Sequence, residues 1–319
     1  MFRIKISLVL ISVSLVVFLA LAVPLTGHAQ DEPPHGNANC LMCHSDPDFV
    51  GHLLSGESLS LYVEPSEYYQ SVHASAGLEC LACHVDQKNY PHGETVQLGC
   101  TKCHSEITDD IDISAIRYKP LHVTLAYENV REVSLTFNEE CRLCHEEKFD
   151  EAVDSAHSRV LDGGNSLAPV CVDCHGSHDI SSPSEPRIKI SETCSECHLS
   201  VYTTYQSSIH GEALEGDGNP DVPTCVDCHG VHNVVGPREP EFRDSTIAIC
   251  GTCHADEERM DKYDISTEVF DTYLDDFHGR SVDFFRRENP GQPSNKATCF
   301  DCHGIHNIRS PEDSYSTVY

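Results

Sequence analysis

All eighteen cysteines of this 319-residue chain fall in nine Cys-x-x-Cys-His motifs, and none is left over. The motifs join Cys40, Cys43 and His44; Cys80, Cys83 and His84; Cys100, Cys103 and His104; Cys141, Cys144 and His145; Cys171, Cys174 and His175; Cys194, Cys197 and His198; Cys225, Cys228 and His229; Cys250, Cys253 and His254; and Cys299, Cys302 and His303. The pattern is the attachment signal for c-type haem. Each thiol pair forms two thioethers to the haem vinyl groups, and the following imidazole is the proximal iron ligand. On a helical turn, positions i, i+3 and i+4 share one face, so all three groups reach one porphyrin edge. The implied cofactor is haem c, nine copies covalently attached.

Two other uses of cysteine compete with this reading. Cys80-x-x-Cys83 and Cys100-x-x-Cys103, with sixteen residues between them, fit a zinc-ribbon spacing. A ribbon does not require a histidine straight after each pair, still less nine of them. A disulfide framework has no use for histidine.

The N-terminus reads as an export signal. Arg3 and Lys5 precede an apolar run from Ile6 to about Val23, and Gly27-His28-Ala29 supplies small residues for a cleavage site. The expected organisation is a signal peptide over 1–29, an N-terminal trihaem region over 30–136 and a hexahaem region of three two-haem repeats over 137–319. The alternative is an uncleaved membrane anchor, because the run approaches spanning length. Either way the haem-bearing part lies outside the cytoplasm, periplasmic or extracellular.

Composition sets the fold class. With the leader set aside, 290 residues serve nine motifs, about 32 each. Tryptophan is absent, aromatic residues make up 7%, and mean hydropathy is −0.32. A protein core this poor does not fold such a chain alone. The porphyrins become the core, and cofactor binding supplies folding free energy. The expected fold is mainly α and irregular, haem-organised, with little β and an extended array. A net charge of −30 argues against a nucleic-acid partner and suits a basic redox protein or a solvated exported surface.

Of 21 histidines, nine are proximal and His28 lies in the leader. Eleven remain: His35, His52, His73, His92, His122, His157, His178, His210, His232, His278 and His306. Six of these fall into a repeat. The first unit runs from Cys141 through a lone His157 to a second motif closing at His178. The next runs from Cys194 through His210 to His232, and the third from Cys250 through His278 to His306. Each second motif reads Asp-Cys-His-Gly-x-His, at Asp173, Asp227 and Asp301, with Pro183, Pro237 or Pro311 five residues beyond the closing histidine. The first half is less regular. Its distal candidates include His73, His92 and His122, and the Ser-Val-His setting of His73 parallels those of His157 and His210.

The closing histidine sits three residues after a proximal one, too close for both to grip opposite faces of one porphyrin. His178 is therefore expected to serve the haem at Cys194, and His232 the haem at Cys250. His157, His210 and His278 are expected to serve those at Cys171, Cys225 and Cys299, and His122 the haem at Cys141. His306 has no following motif, so it folds back, meets a partner's haem or stays free. Met42 and Met260 are weaker ligand candidates. Helices are expected over Phe137–His157, Ser191–His210 and Phe270–His278. Loops are expected at 163–165, 216–220 and 288–291.

From Asn37 onward the chain resembles the multihaem c-type cytochromes of anaerobic respiration, on the nine attachment motifs and the three Asp-Cys-His-Gly-x-His elements. The low-potential, bis-histidine members of that family carry electrons between quinol-oxidising membrane complexes and periplasmic or extracellular acceptors. The resemblance implies the same class of role, with such a complex or other cytochromes as partners. In that family arrays often run on into another motif after the last Asp-Cys-His-Gly-x-His, whereas this sequence stops at Tyr319.

Two further readings stay open. A multihaem reductase of nitrogen or sulfur oxyanions needs an iron with an open position, and none of the nine proximal histidines is replaced. A subunit of a polymeric haem wire is the other. No catalytic residue is assigned.

Overall fold

Short helices, many begun by an attachment motif or by a capping side chain, make up about half of the described residues. The computed structural model describes residues 36–84, 87, 123–182, 186–239 and 242–318. The expectations for the leader, His35, His92, the motif from Cys100 to His104 and His122 lie outside the described residues. The described helices are α1 (Ala38–His44), α2 (Pro65–Gln70), α3 (Val72–Ser75), α4 (Cys80–Cys83), α5 (Val130–Arg142), α6 (Glu146–Val153), α7 (Ala156–Asp162) and α8 (Cys171–His175). They continue with α9 (Ile188–Gln206), α10 (Ile209–Asp217), α11 (Cys225–His229), α12 (Phe242–His254), α13 (Glu257–Met260), α14 (Glu268–Asp275), α15 (Phe277–Glu288) and α16 (Cys299–His303). The chain is mainly helical with little β, as its composition implies.

One small sheet has the order β2-β1-β3, from β1 (Val50–His52), β2 (Ser58–Ser60) and β3 (Val123–Thr124). β1 runs antiparallel to β2, with Gly51 opposite Leu59, and parallel to β3, with Gly51 opposite Val123. No helix among the described residues is long and apolar enough to cross a membrane.

The three expected long helices are each interrupted, and the interruptions have one cause. Ser155 and Ser208 are extended, and their hydroxyls accept the backbone N–H of Ser158 and Gly211. Ser71 caps α3 in the same way, through Ala74 N–H, and the Asp276 carboxylate caps α15 through the N–H groups of His278 and Gly279. Such a capping bond requires a non-helical backbone at the cap residue. A fresh helix therefore starts at the residue before each lone histidine, at His73, His157, His210 and His278. Proximal histidines bend the chain a second time: His145 has φ −111° and ψ 39°, and His198 has φ −104° and ψ 38° inside α9.

The protein's own apolar core is thin. Among the described residues its buried members are Leu53, Tyr68, Ala168, Val170, Leu214, Ile247, Met260 and Val282, dispersed along the chain. Met260, a candidate ligand on sequence grounds, belongs to this core.

Backbone packing at the turn into α10 leaves no room for a side chain after His210. A Cβ on Gly211 runs into the Tyr205 carbonyl and approaches Gln206 Cα at 2.8 Å. Gly211→Ala is expected to cost about 1–3 kcal/mol, the usual range for overpacking. A denaturant midpoint unchanged from the parent protein would show that the turn relaxes freely.

Candidate haem-binding array

Two attachment motifs are clamped together in each repeat. The clamp is an arginine at the start of the helix that carries the first motif. Arg131 reaches Asp173 at 2.8 Å, Arg187 reaches Asp227 at 2.9 Å, and Arg243 reaches Asp301 at 2.6 Å. Each aspartate also caps its own short helix. Asp227 accepts Thr224 N–H at 2.6 Å and its hydroxyl at 2.8 Å, and Asp301 accepts the same two groups of Thr298 at 2.6 and 3.1 Å. Burial pushes the Asp301 carboxyl up, but the Thr298 amide and Arg243 outweigh it and hold it below the usual carboxylate range.

The glycine of Asp-Cys-His-Gly-x-His is also fixed by geometry. Gly176, Gly230 and Gly304 have φ of 74°, 84° and 84°, a region that disfavours any side chain. The turn sends the closing histidine away from its own motif.

The clamp brings the first thiols of the two motifs together. Cys171 is lowered to about 7 by hydrogen bonding from Cys141, Cys225 to about 6 by Cys194, and Cys299 to about 7 by Cys250. Cys40 also lies beside Cys80, although there burial dominates and lifts the Cys80 thiol to about 11. Asn37, three residues before Cys40, accepts the Cys80 N–H at 2.8 Å; Asn138, three before Cys141, accepts the Cys171 N–H at 3.1 Å. The two-motif device thus recurs at Cys40 and Cys80. None of the sixteen described cysteines is paired in a disulfide, so the disulfide framework finds no counterpart there. The zinc-ribbon spacing involves Cys100 and Cys103, which lie outside the described residues.

The histidines are arranged in facing pairs. His73 faces His145 at a centroid separation of 6.0 Å, His157 faces His198 at 6.2 Å, and His210 faces His254 at 6.3 Å. His178 faces His84 at 6.0 Å, His232 faces His175 at 6.1 Å, and His306 faces His229 at 6.1 Å. Interplanar angles run from 24° to 46°. Two bonds of about 2 Å from nitrogen to a metal, plus two steps of about 1.1 Å from nitrogen to ring centre, span about 6.2 Å. The gaps therefore fit one metal ion between each pair, as an axially ligated haem iron requires.

Burial pushes the titration of His157, His175, His178, His254 and His306 down, and that of His210 down to about 4. A neutral imidazole is the form that ligates metal. Backbone carbonyls lie against Nδ1 of two proximal rings: Leu61 O is 2.6 Å from His44 and Val235 O is 3.0 Å from His229. Such contacts set the tautomer that leaves Nε2 for a metal.

The pairing runs between units in a fixed pattern. The lone histidines His73, His157 and His210 each face the first proximal histidine of the next unit, and each closing histidine faces the second proximal histidine of the unit before. A backbone bond accompanies each exchange: Val72 N–H to Ile180 O at 2.9 Å, Ala156 N–H to Val234 O at 2.8 Å, and Ile209 N–H to Ile308 O at 2.8 Å. Each acceptor lies two residues beyond a closing histidine.

This differs from the expected neighbour scheme. His178 faces His84 rather than His198, and His232 faces His175 rather than His254. His157 and His210 reach forward to His198 and His254 instead of His175 and His229. His145 meets His73, not the more nearly adjacent His122. His306 folds back within its own chain. Sequence distance misleads here because the cap and the glycine turn aim the two histidines of a unit in opposite directions. No described ring faces His303 or His278; His278 contacts only Phe277, edge to face.

Sequence reasoning missed the clamping arginines. The signal was present, since an arginine precedes each first motif by ten, seven and seven residues at Arg131, Arg187 and Arg243. Asp227→Ala removes an acceptor for three donors. It is expected to cost about 1–2 kcal/mol after allowance for partial exposure, read as a lower thermal midpoint. An unchanged midpoint would remove the clamp from the account.

Parts of the chain are similar to known c-type cytochromes. A family model described as cytochrome c3 matches residues 164–255, and one described as the N-terminal region of the NapC/NirT cytochrome c family matches residues 60–185. The cytochrome c-type protein NrfB of Escherichia coli O6:H1 is 26% identical over 129 residues, covering 37% of this chain and 65% of that protein. The chain thus spans a little under two thirds of the relative's length. No solved structure matches.

Proposed function

We propose that this multihaem c-type electron-transfer cytochrome carries nine haems, ligated by histidine pairs, and passes electrons along them between a respiratory donor and a periplasmic or extracellular acceptor. The carrying observation is the set of six facing imidazole pairs at 6.0–6.3 Å. Bound haem supplies one-electron Fe(III)/Fe(II) chemistry at each site. The chain's residues do the rest: cysteines tether, proximal and lone or closing histidines ligate, and arginine–aspartate clamps hold sites in pairs. Under this reading the device forms four paired units, with first motifs at Cys40, Cys141, Cys194 and Cys250. The motif at Cys100 lies outside the described residues.

Axial ligation on both faces leaves an iron no room for substrate. That favours a carrier over an oxyanion reductase at the six paired sites. The net charge of −30 favours basic docking surfaces on the donor and acceptor. A quinol-oxidising membrane complex or another cytochrome fits that requirement.

Intact mass after denaturation is expected to show nine haem additions on a chain beginning near Gln30. Fewer additions would overturn the count, and a retained leader would make the N-terminus an anchor. His157→Ala and His210→Ala are each expected to convert one haem from low to high spin, those at Cys194 and Cys250. Electron paramagnetic resonance of the ferric proteins reads this directly. Fully low-spin spectra from both variants would reject the ligand assignment.

A further inference from the structure

The third repeat is longer than the first two at one place. Its lone histidine follows its first proximal histidine by 24 residues, from His254 to His278, against 12 from His145 to His157 and from His198 to His210. The extra length forms α13, a turn of 3-10 helix over Asp261–Tyr263, and α14. It lies against the attachment motif at Cys250. Phe270 of α14 packs on Gly251, where an added Cβ would stand 2.5 Å from its ring. The same segment is tied to the loop before the motif at Cys225, since Asp221 accepts Lys262 Nζ and the Tyr263 hydroxyl, each at 2.9 Å. Met260, which ends α13, is buried. Held in this way, α13 directs Arg259 onto the motif. Its Nη1 donates to Cys253 Sγ at 2.8 Å. Its backbone N–H donates to Asp256 Oδ1 at 3.1 Å, which caps the helix. The earlier repeats differ. In the first, Arg142 turns to Phe149 and Asp150, and Lys148 turns to Glu151. In the second, no basic residue lies between His198 and His210.

We propose that Arg259 raises the reduction potential of the haem at Cys250 above that of its counterpart at Cys194, so that an electron moving along the array settles at the third repeat in preference to the second. The inference rests on the bis-histidine haem reading above. Cys253 Sγ is a thiol here. On attachment it becomes the thioether sulfur, two bonds from the porphyrin edge, and it still accepts the guanidinium N–H. A haem core loses one unit of positive charge when ferric iron is reduced to ferrous. A guanidinium is charged at every accessible pH. It therefore disfavours the ferric state more than the ferrous one, and the potential rises. Two effects limit the size. Asp256 offsets part of the charge from 3.9 Å, a looser contact than the one at the sulfur, and the Arg259 side chain is 33% exposed to screening water. Asp221, the other nearby carboxylate, is engaged by Lys262.

The test is a redox titration of the full-length holoprotein followed by electron paramagnetic resonance. The low-spin ferric signal lost in His210→Ala identifies the haem at Cys250, and the one lost in His157→Ala identifies the haem at Cys194. If neither signal is lost, the ligand reading falls and this inference falls with it. With both identified, the Cys250 signal of the parent is expected to titrate at a higher potential than the Cys194 signal. Arg259→Gln is expected to lower the Cys250 couple by about threefold to tenfold in its ferrous-to-ferric ratio, and to leave the Cys194 couple in place. Arg259→Lys keeps the charge and is expected to stay near the parent. An unmoved or raised Cys250 couple in Arg259→Gln overturns the proposal alone, with the ligand reading intact. An equal fall in Arg259→Lys does the same, because it would make the residue's role structural. A parent whose Cys250 couple lies at or below its Cys194 couple also overturns it, and that result requires no Arg259 variant to fold.

Discussion

Facing imidazoles held about 6 Å apart are the arrangement on which the rest of this chain depends. Without a metal between them, the rings of each pair are only half-buried or exposed and hold the chain weakly. With one, each pair becomes a covalent-strength tie between segments far apart in sequence. Structural metal sites supply on the order of 10 kcal/mol of folding free energy. The backbone bond beside each tie supplies only about 1 kcal/mol. That ranking explains how a chain with so few buried apolar side chains adopts a defined path. It also explains why the pairs connect units rather than closing each unit on itself. A chain that ligated only within units would have little protein surface to hold one unit against the next.

Within a unit, weaker forces set a finer geometry. An arginine, a backbone amide and, in the second and third repeats, a threonine hydroxyl meet one aspartate oxygen, so two short helices begin side by side. Their first thiols then approach closely enough to perturb each other, and the tethered groups are confined to one neighbourhood. Between units, the exchange of histidines in both directions continues that proximity along the chain. Electron transfer needs this continuity more than it needs any single residue. The division of labour has a consequence for substitutions. A clamp residue changes how two sites sit together, whereas a histidine changes the coordination of one.

Much of this was legible in the sequence because covalent haem attachment demands a fixed local spacing. The nine motifs, the two-motif repeat after Cys141 and the kinship of His73 with His157 and His210 all follow from adjacent residues. The thin core and low β content follow from composition. The pairing did not follow, because the direction in which a histidine leaves its unit is set by backbone conformation. Ser155 breaks a helix that periodicity alone carries through to His157. Gly176 turns the chain so that His178 travels back to His84, across more than ninety residues. Both signals were in the text, a small capping residue two before each lone histidine and a glycine after each second motif, but their meaning is geometric. Arg187 shows the same limit: its partner Asp227 lies forty residues on.

The sites are not equivalent electrostatically, and one contact orders them. His232 carries Glu151 Oε2 3.3 Å from its Nδ1, where His229 carries a neutral carbonyl. Lys148 holds the Glu151 carboxyl below its ordinary range, with His232 contributing less, so it stays anionic near neutral pH. An anionic acceptor draws the Nδ1 proton and makes the ring a stronger donor through Nε2. A stronger donor favours the ferric state. Under the proposed ligation, the haem at Cys171 is therefore biased to a lower potential than the haem at Cys225. Lys148 tempers this by sharing the carboxylate at hydrogen-bond distance. A slope of this kind arises from a second-layer carboxylate on one distal ligand, with the same two imidazoles on both irons.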